Sequence, residues 1–215
     1  MPRALTRATL REGVDDLCRR DPRLAGIVER FGPPPLFARP RGFATLVWII
    51  LEQQVSLASA AATYARLEAA LGGAVTPEAV RGLGAGGLAA VGFTRQKARY
   101  VTGLADRIAA GELDLARLAR LDDDAAGGVL LEVPGVGPWT AGVYLLMALR
   151  RPDVWPPGDL GLHTSMAEVG CVRAPPSSAA AAAHALRWRP WRAVAARLLW
   201  HSYLSLRRKP AWGVP

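Results

Sequence analysis

Apolar residues recur along this chain at the spacing of α-helices. The clearest case is residues 94–110, where Val101, Leu104, Ala105 and Ile108 fall on one helical face. Alternating runs of β-branched residues are missing, and Ala, Leu, Arg and Glu are plentiful. The pattern therefore predicts an all-α fold.

Glycine and proline clusters divide the chain into helical segments, many of which begin at a residue that favours helix N-caps. Ser56, Thr76, Asp122 and Ser177 are examples. The predicted helices cover residues 10–20, 24–31, 43–54, 57–71, a segment starting at 76, 94–110, 122–131, 139–150, 159–171, a segment starting at 177, and 191–206.

Residues 133–137, Val-Pro-Gly-Val-Gly, predict a tight turn that opens a helix at Pro138. Gly135 and Gly137 can take positive φ at no steric cost. A turn of this kind presents unpaired backbone N–H groups at the positive end of a helix dipole, which is an anion site, and phosphate is the usual anion. The alternative is an ordinary connection between two helices.

A second turn, Pro156-Pro157-Gly158, places Asp159 at the start of another helix. A carboxylate there is usually a cap. Three adjacent acids at residues 122–124 are also interpreted as capping, since neighbouring side chains point in different directions. The three histidines are scattered, so the sequence supports neither a zinc site nor a catalytic triad.

Composition narrows the class of protein. The 215 residues carry a formal net charge of +9, which suits a polyanionic partner, although a generic basic protein would have the same balance. No apolar run reaches transmembrane length and the first residues lack a signal-peptide core, so no membrane partner is expected. Cys18 and Cys171 are too few for a disulfide framework. A cytoplasmic protein, of a bacterial-type cytosol and associated with the nucleoid, is expected.

The string at residues 131–162 resembles the hairpin, Gly/Pro-rich loop and aspartate of the helix-hairpin-helix (HhH-GPD) DNA glycosylase superfamily, and most closely its AlkA-like 3-methyladenine glycosylase II branch. Further matches, in the family's order, lie at residues 21–24, 50–56, 92–98, 189–192 and 199–200. The branch with a four-cysteine iron–sulfur cluster is excluded by the cysteine count.

The resemblance implies two helical lobes with a cleft between them, all within one glycosylase unit over residues 1–215. The central lobe would cover about 52–150, with the hairpin at 122–150. The second lobe would combine about 1–51 with 151–215.

The resemblance also assigns chemistry. Asp159 stands where the superfamily keeps its catalytic aspartate, and capping and catalysis are compatible. Trp139 stands where strand-cleaving members carry a Schiff-base lysine, so a monofunctional enzyme is implied, one that removes 3-methyladenine- or 7-methylguanine-type bases by hydrolysis and leaves an abasic site. Trp200 joins Trp139 in the implied base pocket, and Tyr144, Trp48 and His163 are further candidates, although core packing explains each of them taken alone. Val143 and Leu160 replace aromatic residues of the best-known member, which leaves lesion preference open.

The implied DNA contacts come from three places. Gln54 would fill the gap left by the flipped nucleotide with Gln53 beside it, although both could be solvated helix-end residues. Arg95 and Lys97 would bind phosphate or form a solvated charged face. Gly135, Gly137 and Thr140 would hold the DNA backbone.

The resemblance implies no required cofactor. The hairpin carbonyls of Leu131, Val133 and Val136 could hold a structural Na⁺ or K⁺. The expected partner is double-stranded DNA containing alkylated bases, bound by a monomer. A glycosylase for another damaged base and a non-catalytic helix-hairpin-helix DNA-binding protein stay open as alternatives.

Overall fold

A computed structural model describes residues 4–207, and the described chain is helical throughout, with no β-strand. The predicted all-α class is confirmed. The described residues form eleven α-helices and two short 3₁₀ helices, at Arg117–Arg120 and Leu186–Trp188. The helices are α1 Arg7–Arg20, α2 Pro22–Phe31, α3 Phe43–Glu52, α4 Leu57–Leu71, α5 Pro77–Ala90, α6 Arg95–Ala109, α7 Asp123–Leu131, α8 Pro138–Met147, α9 Leu160–Glu168, α10 Ser178–Ala185 and α11 Arg192–Leu206.

Helix starts follow from capping side chains. Four residues named from the sequence accept a hydrogen bond from the first turn of their helix, namely Ser56, Thr76, Asp122 and Ser177. Each satisfies one backbone N–H that the helix leaves without a partner. Helix ends were harder to predict from the sequence.

Three helices end earlier than predicted. The predicted α3 included Gln53 and Gln54, but Gln54 adopts a left-handed φ of 57° and the helix ends at Glu52. The predicted α8 reached Arg150, which also takes a left-handed φ, of 55°. Helix α9 ends at Glu168 rather than near Cys171. In each case the backbone leaves the helical conformation before the predicted end.

The central unit of the fold comprises Pro40–Tyr144. Within it α5 packs on α6, and α3 packs on α4 and α6. Helix α3 is buried along almost its whole length, which accounts for its nearly uninterrupted apolar sequence. The sequence had grouped this helix with the terminal residues, whereas the helices α4 and α6 on which it packs belong to the central unit.

The terminal unit combines residues 4–39 with residues 145–207. Helix α11 is its centre and packs on α1, α2 and α9. The Arg197 side chain of α11 is completely buried, and its guanidinium donates to the carbonyls of Leu36, Leu146 and Ala193 at 2.6–2.8 Å. Burial lowers the pKa of Arg197 to about 9, with Arg150 adding to the effect, and the group stays charged at neutral pH. Arg197 therefore joins three separate stretches of this unit.

None of the helices within residues 4–207 has the length and apolar character needed to cross a membrane.

Candidate active site

The hairpin consists of α7, the turn at residues 132–137 and α8, and it belongs to the central unit up to Tyr144. Gly135 has a φ of 88°, as predicted, and a Cβ atom there would overlap the Tyr100 ring. Gly137 differs from the prediction because its φ is not positive, and a Cβ atom there would meet nothing within 4 Å. The Gly137 carbonyl accepts the Ala141 amide at 2.9 Å, so this glycine opens α8. The backbone conformation and the packing of the turn require a glycine at Gly135. At Gly137 the Cβ position faces open space.

The turn carbonyls are the atoms to which the sequence assigned a monovalent cation. The Val133 carbonyl accepts the Val136 amide at 3.0 Å, which occupies one of its two lone pairs. Backbone carbonyl oxygens are suitable ligands for alkali ions. The donor chemistry of Leu131, Val133 and Val136 therefore fits such an ion, whose binding stays a prediction.

Residues 53 and 54, which we call the α3 exit turn, lie next to the hairpin. The Gln53 side chain donates from Nε2 to the Gly135 carbonyl at 2.8 Å and to Thr140 Oγ1 at 2.9 Å. The Gln54 side chain is exposed. The structure thus brings together three of the residues for which a DNA contact was predicted, Gln53, Gly135 and Thr140.

Lys97 and Arg95, the two cations predicted to contact DNA, differ in their surroundings. Lys97 Nζ donates to the carbonyls of Leu51 and Gln53 at 2.7 and 2.8 Å, and burial lowers the pKa of this ammonium. Arg95 is exposed at the start of α6. A phosphate contact by either residue stays a prediction.

Trp48 and Tyr144, predicted as pocket residues, belong to the core of the central unit. Trp48 donates to Glu52 Oε1 at 2.8 Å and packs on Tyr64 with ring centroids 4.2 Å apart. Tyr144 is fully buried, and its hydroxyl accepts the Gly42 amide at 3.0 Å. Burial raises the pKa of Tyr144, so the phenol stays neutral. Trp139 is half-buried in the first turn of α8. A base-pocket role for these residues stays a prediction.

Asp159 lies in the terminal unit and caps α9, as the sequence predicted. Only 6% of the residue is exposed. Its Oδ1 atom accepts the Leu162 amide at 2.9 Å and the Trp200 indole N–H at 3.1 Å. These two N–H donors come from the first turn of α9 and from α11, and both hold the same carboxylate oxygen. The site therefore holds a buried carboxylate in a fixed orientation.

Trp200 supports this carboxylate directly, a contact that the sequence did not reveal. The ring is 1% exposed and packs edge-on against Phe37 with centroids 6.4 Å apart. The sequence assigned Trp200 to the base pocket, and that role stays a prediction. Because 41 residues separate it from Asp159, no local pattern pointed to the hydrogen bond.

Three residues that closely follow Asp159 in the sequence form part of its surroundings. His163 is 6% exposed and its amide donates to the Asp159 carbonyl at 3.0 Å. Burial lowers the pKa of His163, while the Asp159 charge acts in the opposite direction. A Cβ atom on Gly161 would approach Asp159 Oδ1 to 3.2 Å, so this glycine keeps space beside the carboxylate. Leu160, the next residue after the acid, is 78% exposed.

The chain is similar in sequence to DNA repair enzymes. The chain is 27% identical over 196 residues to the DNA-3-methyladenine glycosylase of Bacillus subtilis, covering 86% of this chain and 65% of that protein. It is 38% identical over 165 residues to a probable bifunctional transcriptional activator/DNA repair enzyme AlkA of Mycobacterium tuberculosis, covering 70% of this chain and 31% of that protein. The chain thus spans less than two thirds of the length of either relative.

The crystal structure of a DNA-3-methyladenine glycosidase from Bacillus halodurans has a similar fold. The TM-score is 0.74 at 28% identity, and the match covers 91% of each chain. The model of the HhH-GPD superfamily of base excision DNA repair proteins matches residues 47–190, which include the α3 exit turn, the hairpin and Asp159. A match over that much of the sequence shows that this chain belongs to the HhH-GPD superfamily of base excision DNA repair proteins.

Proposed function

We propose that this protein is a monofunctional DNA glycosylase that flips an alkylated base out of the duplex and removes it by hydrolysis, leaving an abasic site. The observation that carries the proposal is Asp159, a buried carboxylate held by the Trp200 indole and the Leu162 amide. The names of the relatives from Bacillus subtilis and Bacillus halodurans support the choice of a 3-methyladenine-type substrate.

Asp159 supplies the chemistry of this reaction. Breaking an N-glycosidic bond develops positive charge on the sugar, and a nearby carboxylate stabilises that oxocarbenium-like state. The same group can orient or deprotonate the attacking water. Because its orientation is fixed before substrate binds, no reorganisation is needed during the reaction.

The choice of alkylated bases follows from how readily they leave. Alkylation at N3 or N7 makes a purine cationic, so the base departs without a general acid, and one carboxylate is enough. A cationic ring is also attracted to the face of an indole, which suits Trp139 for the base pocket. Trp200, Tyr144, Trp48 and His163 complete the proposed pocket set.

The absence of strand cleavage is supported by the lysine content. The chain has two lysines, Lys97 and Lys209, and position 139 is tryptophan. Lys97 is bound to two backbone carbonyls, and Lys209 lies outside the described residues. A Schiff-base mechanism requires an amine that reaches the sugar, and position 139 does not offer one.

DNA binding in this proposal depends on the hairpin and the α3 exit turn. Backbone amides at Gly135, Gly137 and Thr140 would hold phosphate groups at the start of α8, helped by the helix dipole. Gln54 would fill the gap left by the flipped nucleotide, and Arg95 would add a phosphate contact. A monovalent ion on the carbonyls of Leu131, Val133 and Val136 would stabilise the turn. The protein would act as a monomer in the cytoplasm on double-stranded DNA.

The test is base release from duplex DNA containing 3-methyladenine or 7-methylguanine, compared between wild type and Asp159→Asn. Asparagine caps helices about as well as aspartate, so the variant should fold. We expect release by wild type and its collapse in Asp159→Asn. Binding of DNA without release by either protein would refute the glycosylase proposal for alkylated bases. Competition with deaminated or oxidised bases then distinguishes a glycosylase for another lesion from a binding protein.

A further inference from the structure

Gln54 has a backbone conformation that glutamine, like other residues with a side chain, does not favour. Its φ of 57° is left-handed, and residues other than glycine seldom take such values. A strained residue persists when the surrounding structure fixes it, and such residues cluster at functional sites. Gln54 is exposed, so the constraint must come from the backbone on either side.

Lys97 holds that backbone from the α6 side. Its ammonium donates to the carbonyl of Leu51, in the last turn of α3, and to the carbonyl of Gln53, the residue before Gln54. A helix leaves its last carbonyls without partners and carries partial negative charge at that end, so a cation there satisfies both needs. Two of the three ammonium donors are thereby used within the protein.

Gln53 holds the same turn from the hairpin side. Its Nε2 atom donates to the carbonyl of Gly135 and to the hydroxyl of Thr140. Thr140 is 2% exposed and lies in α8, so this anchor is rigid. The α3 exit turn is therefore attached to α6 through one side chain and to the hairpin through another.

We propose that Lys97 and Gln53 are positioning residues that fix the α3 exit turn, so that Gln54 enters the duplex in one orientation and in register with the hairpin. This inference rests on the proposed function. It gives Lys97 a role through Gln54 instead of a direct phosphate contact. The exposed Arg99, on the same helix two residues away, provides a matched cation without these hydrogen bonds.

The first experiment needs no DNA. Backbone amide exchange over residues 51–56 is compared in wild type, Lys97→Met, Gln53→Ala and Arg99→Met. We expect faster exchange in Lys97→Met and Gln53→Ala, and wild-type exchange in Arg99→Met. Unchanged exchange in both test variants would overturn the proposal, independently of whether the protein is a glycosylase. Two test variants in different elements keep the experiment informative if one fails to fold.

The second experiment separates positioning from phosphate contact. A lost phosphate contact lowers the slope of log affinity against log salt by about 0.9, whereas a lost positioning contact leaves that slope unchanged. We expect Lys97→Met to keep the wild-type slope. It should also reduce the flipping signal of a 2-aminopurine placed beside the lesion, and slow single-turnover base release by about 10- to 100-fold. A lower slope with normal flipping would overturn the proposal.

A double-mutant cycle then tests whether Lys97 acts through Gln54. If it does, adding Lys97→Met to Gln54→Ala should change flipping by less than about twofold, because the positioned side chain is already gone. A general loss of stability would instead give the same fold-change in both backgrounds, and that result would overturn the positioning role. Failure of wild type to release any base would count against the proposed function alone, since amide exchange still tests the positioning.

Discussion

The two hairpin glycines should respond differently to the same substitution. Gly135 combines a φ of 88° with direct contact between its missing Cβ and the Tyr100 ring. Gly137 has an ordinary φ and open space around its Cβ position. Substitution of each by alanine therefore adds one methyl group at two positions that are two residues apart, with different expected consequences for folding and for DNA binding.

The magnitudes follow from these surroundings. A left-handed conformation costs a non-glycine residue about 1–2 kcal/mol, and displacing a packed ring adds about 1–3 kcal/mol. Gly135→Ala should therefore lower the free energy of unfolding by about 2–5 kcal/mol. Gly137→Ala replaces glycine at a helix start, which costs about 1 kcal/mol or less. Its new methyl group would project into the space where a phosphate is expected.

Denaturant unfolding measures the free energy of unfolding of each variant. Fluorescence anisotropy with a duplex that carries an abasic site measures its affinity for DNA. We expect Gly137→Ala to unfold nearly like wild type but to bind this DNA about tenfold more weakly, a loss of about 1.4 kcal/mol. Wild-type affinity in Gly137→Ala would refute the proposal that the hairpin binds the DNA backbone. A large loss of stability in the same variant would refute the packing argument.

Three further predictions concern the carboxylate, the reaction type and the pH dependence of stability. Trp200→Phe removes the indole donor to Asp159 but keeps an aromatic ring beside Phe37. Since a hydrogen bond to a charged group contributes about 1.5–3 kcal/mol, base release should slow by about 10- to 100-fold, and a change below twofold would contradict the role. Borohydride added during turnover should trap no covalent protein–DNA adduct, and a trapped adduct would argue against direct hydrolysis. Burial lowers the pKa of His163 below its usual 6.5, so the unfolded chain binds this proton more tightly and stability falls as the pH drops through that region. His163→Asn should flatten the unfolding free energy measured between about pH 7 and pH 5, whereas an unchanged slope would show that His163 is not responsible.

The sequence located helix starts well because caps are local. Thr76 and Asp122 each sit next to the amides that they bind, so one residue and its neighbours carry the signal. Helices α3 and α8 end at Glu52 and Met147, shortly before Gln54 and Arg150, whose left-handed backbone neither residue type favours. No single-residue preference could have indicated those two ends.

In the candidate site, too, local features could be predicted from the sequence and long-range contacts could not. The motif at residues 131–162 pointed to Asp159 and the hairpin glycines as candidates because their spacing along the chain is itself the signal. The partners of Asp159 and Gln53 come from residues far along the sequence, Trp200 in one case and Gly135 in the other. Lys97 shows the limit most clearly, since nothing in the sequence around this cation indicates its two carbonyl partners.

Arg197 has a consequence for synthesis of the chain. Its guanidinium joins the carbonyl of Leu36 to those of Leu146 and Ala193, so the terminal unit needs both of its segments. About 100 residues separate those segments, and translation at roughly 5–20 residues per second puts about 5–20 s between their appearance at the ribosome. Helices α1 and α2 therefore wait for α11 with their apolar faces uncovered, while the whole sequence of the central unit emerges in the interval. Helices α1 and α2 are made before α11 and can reach their final packing only after it.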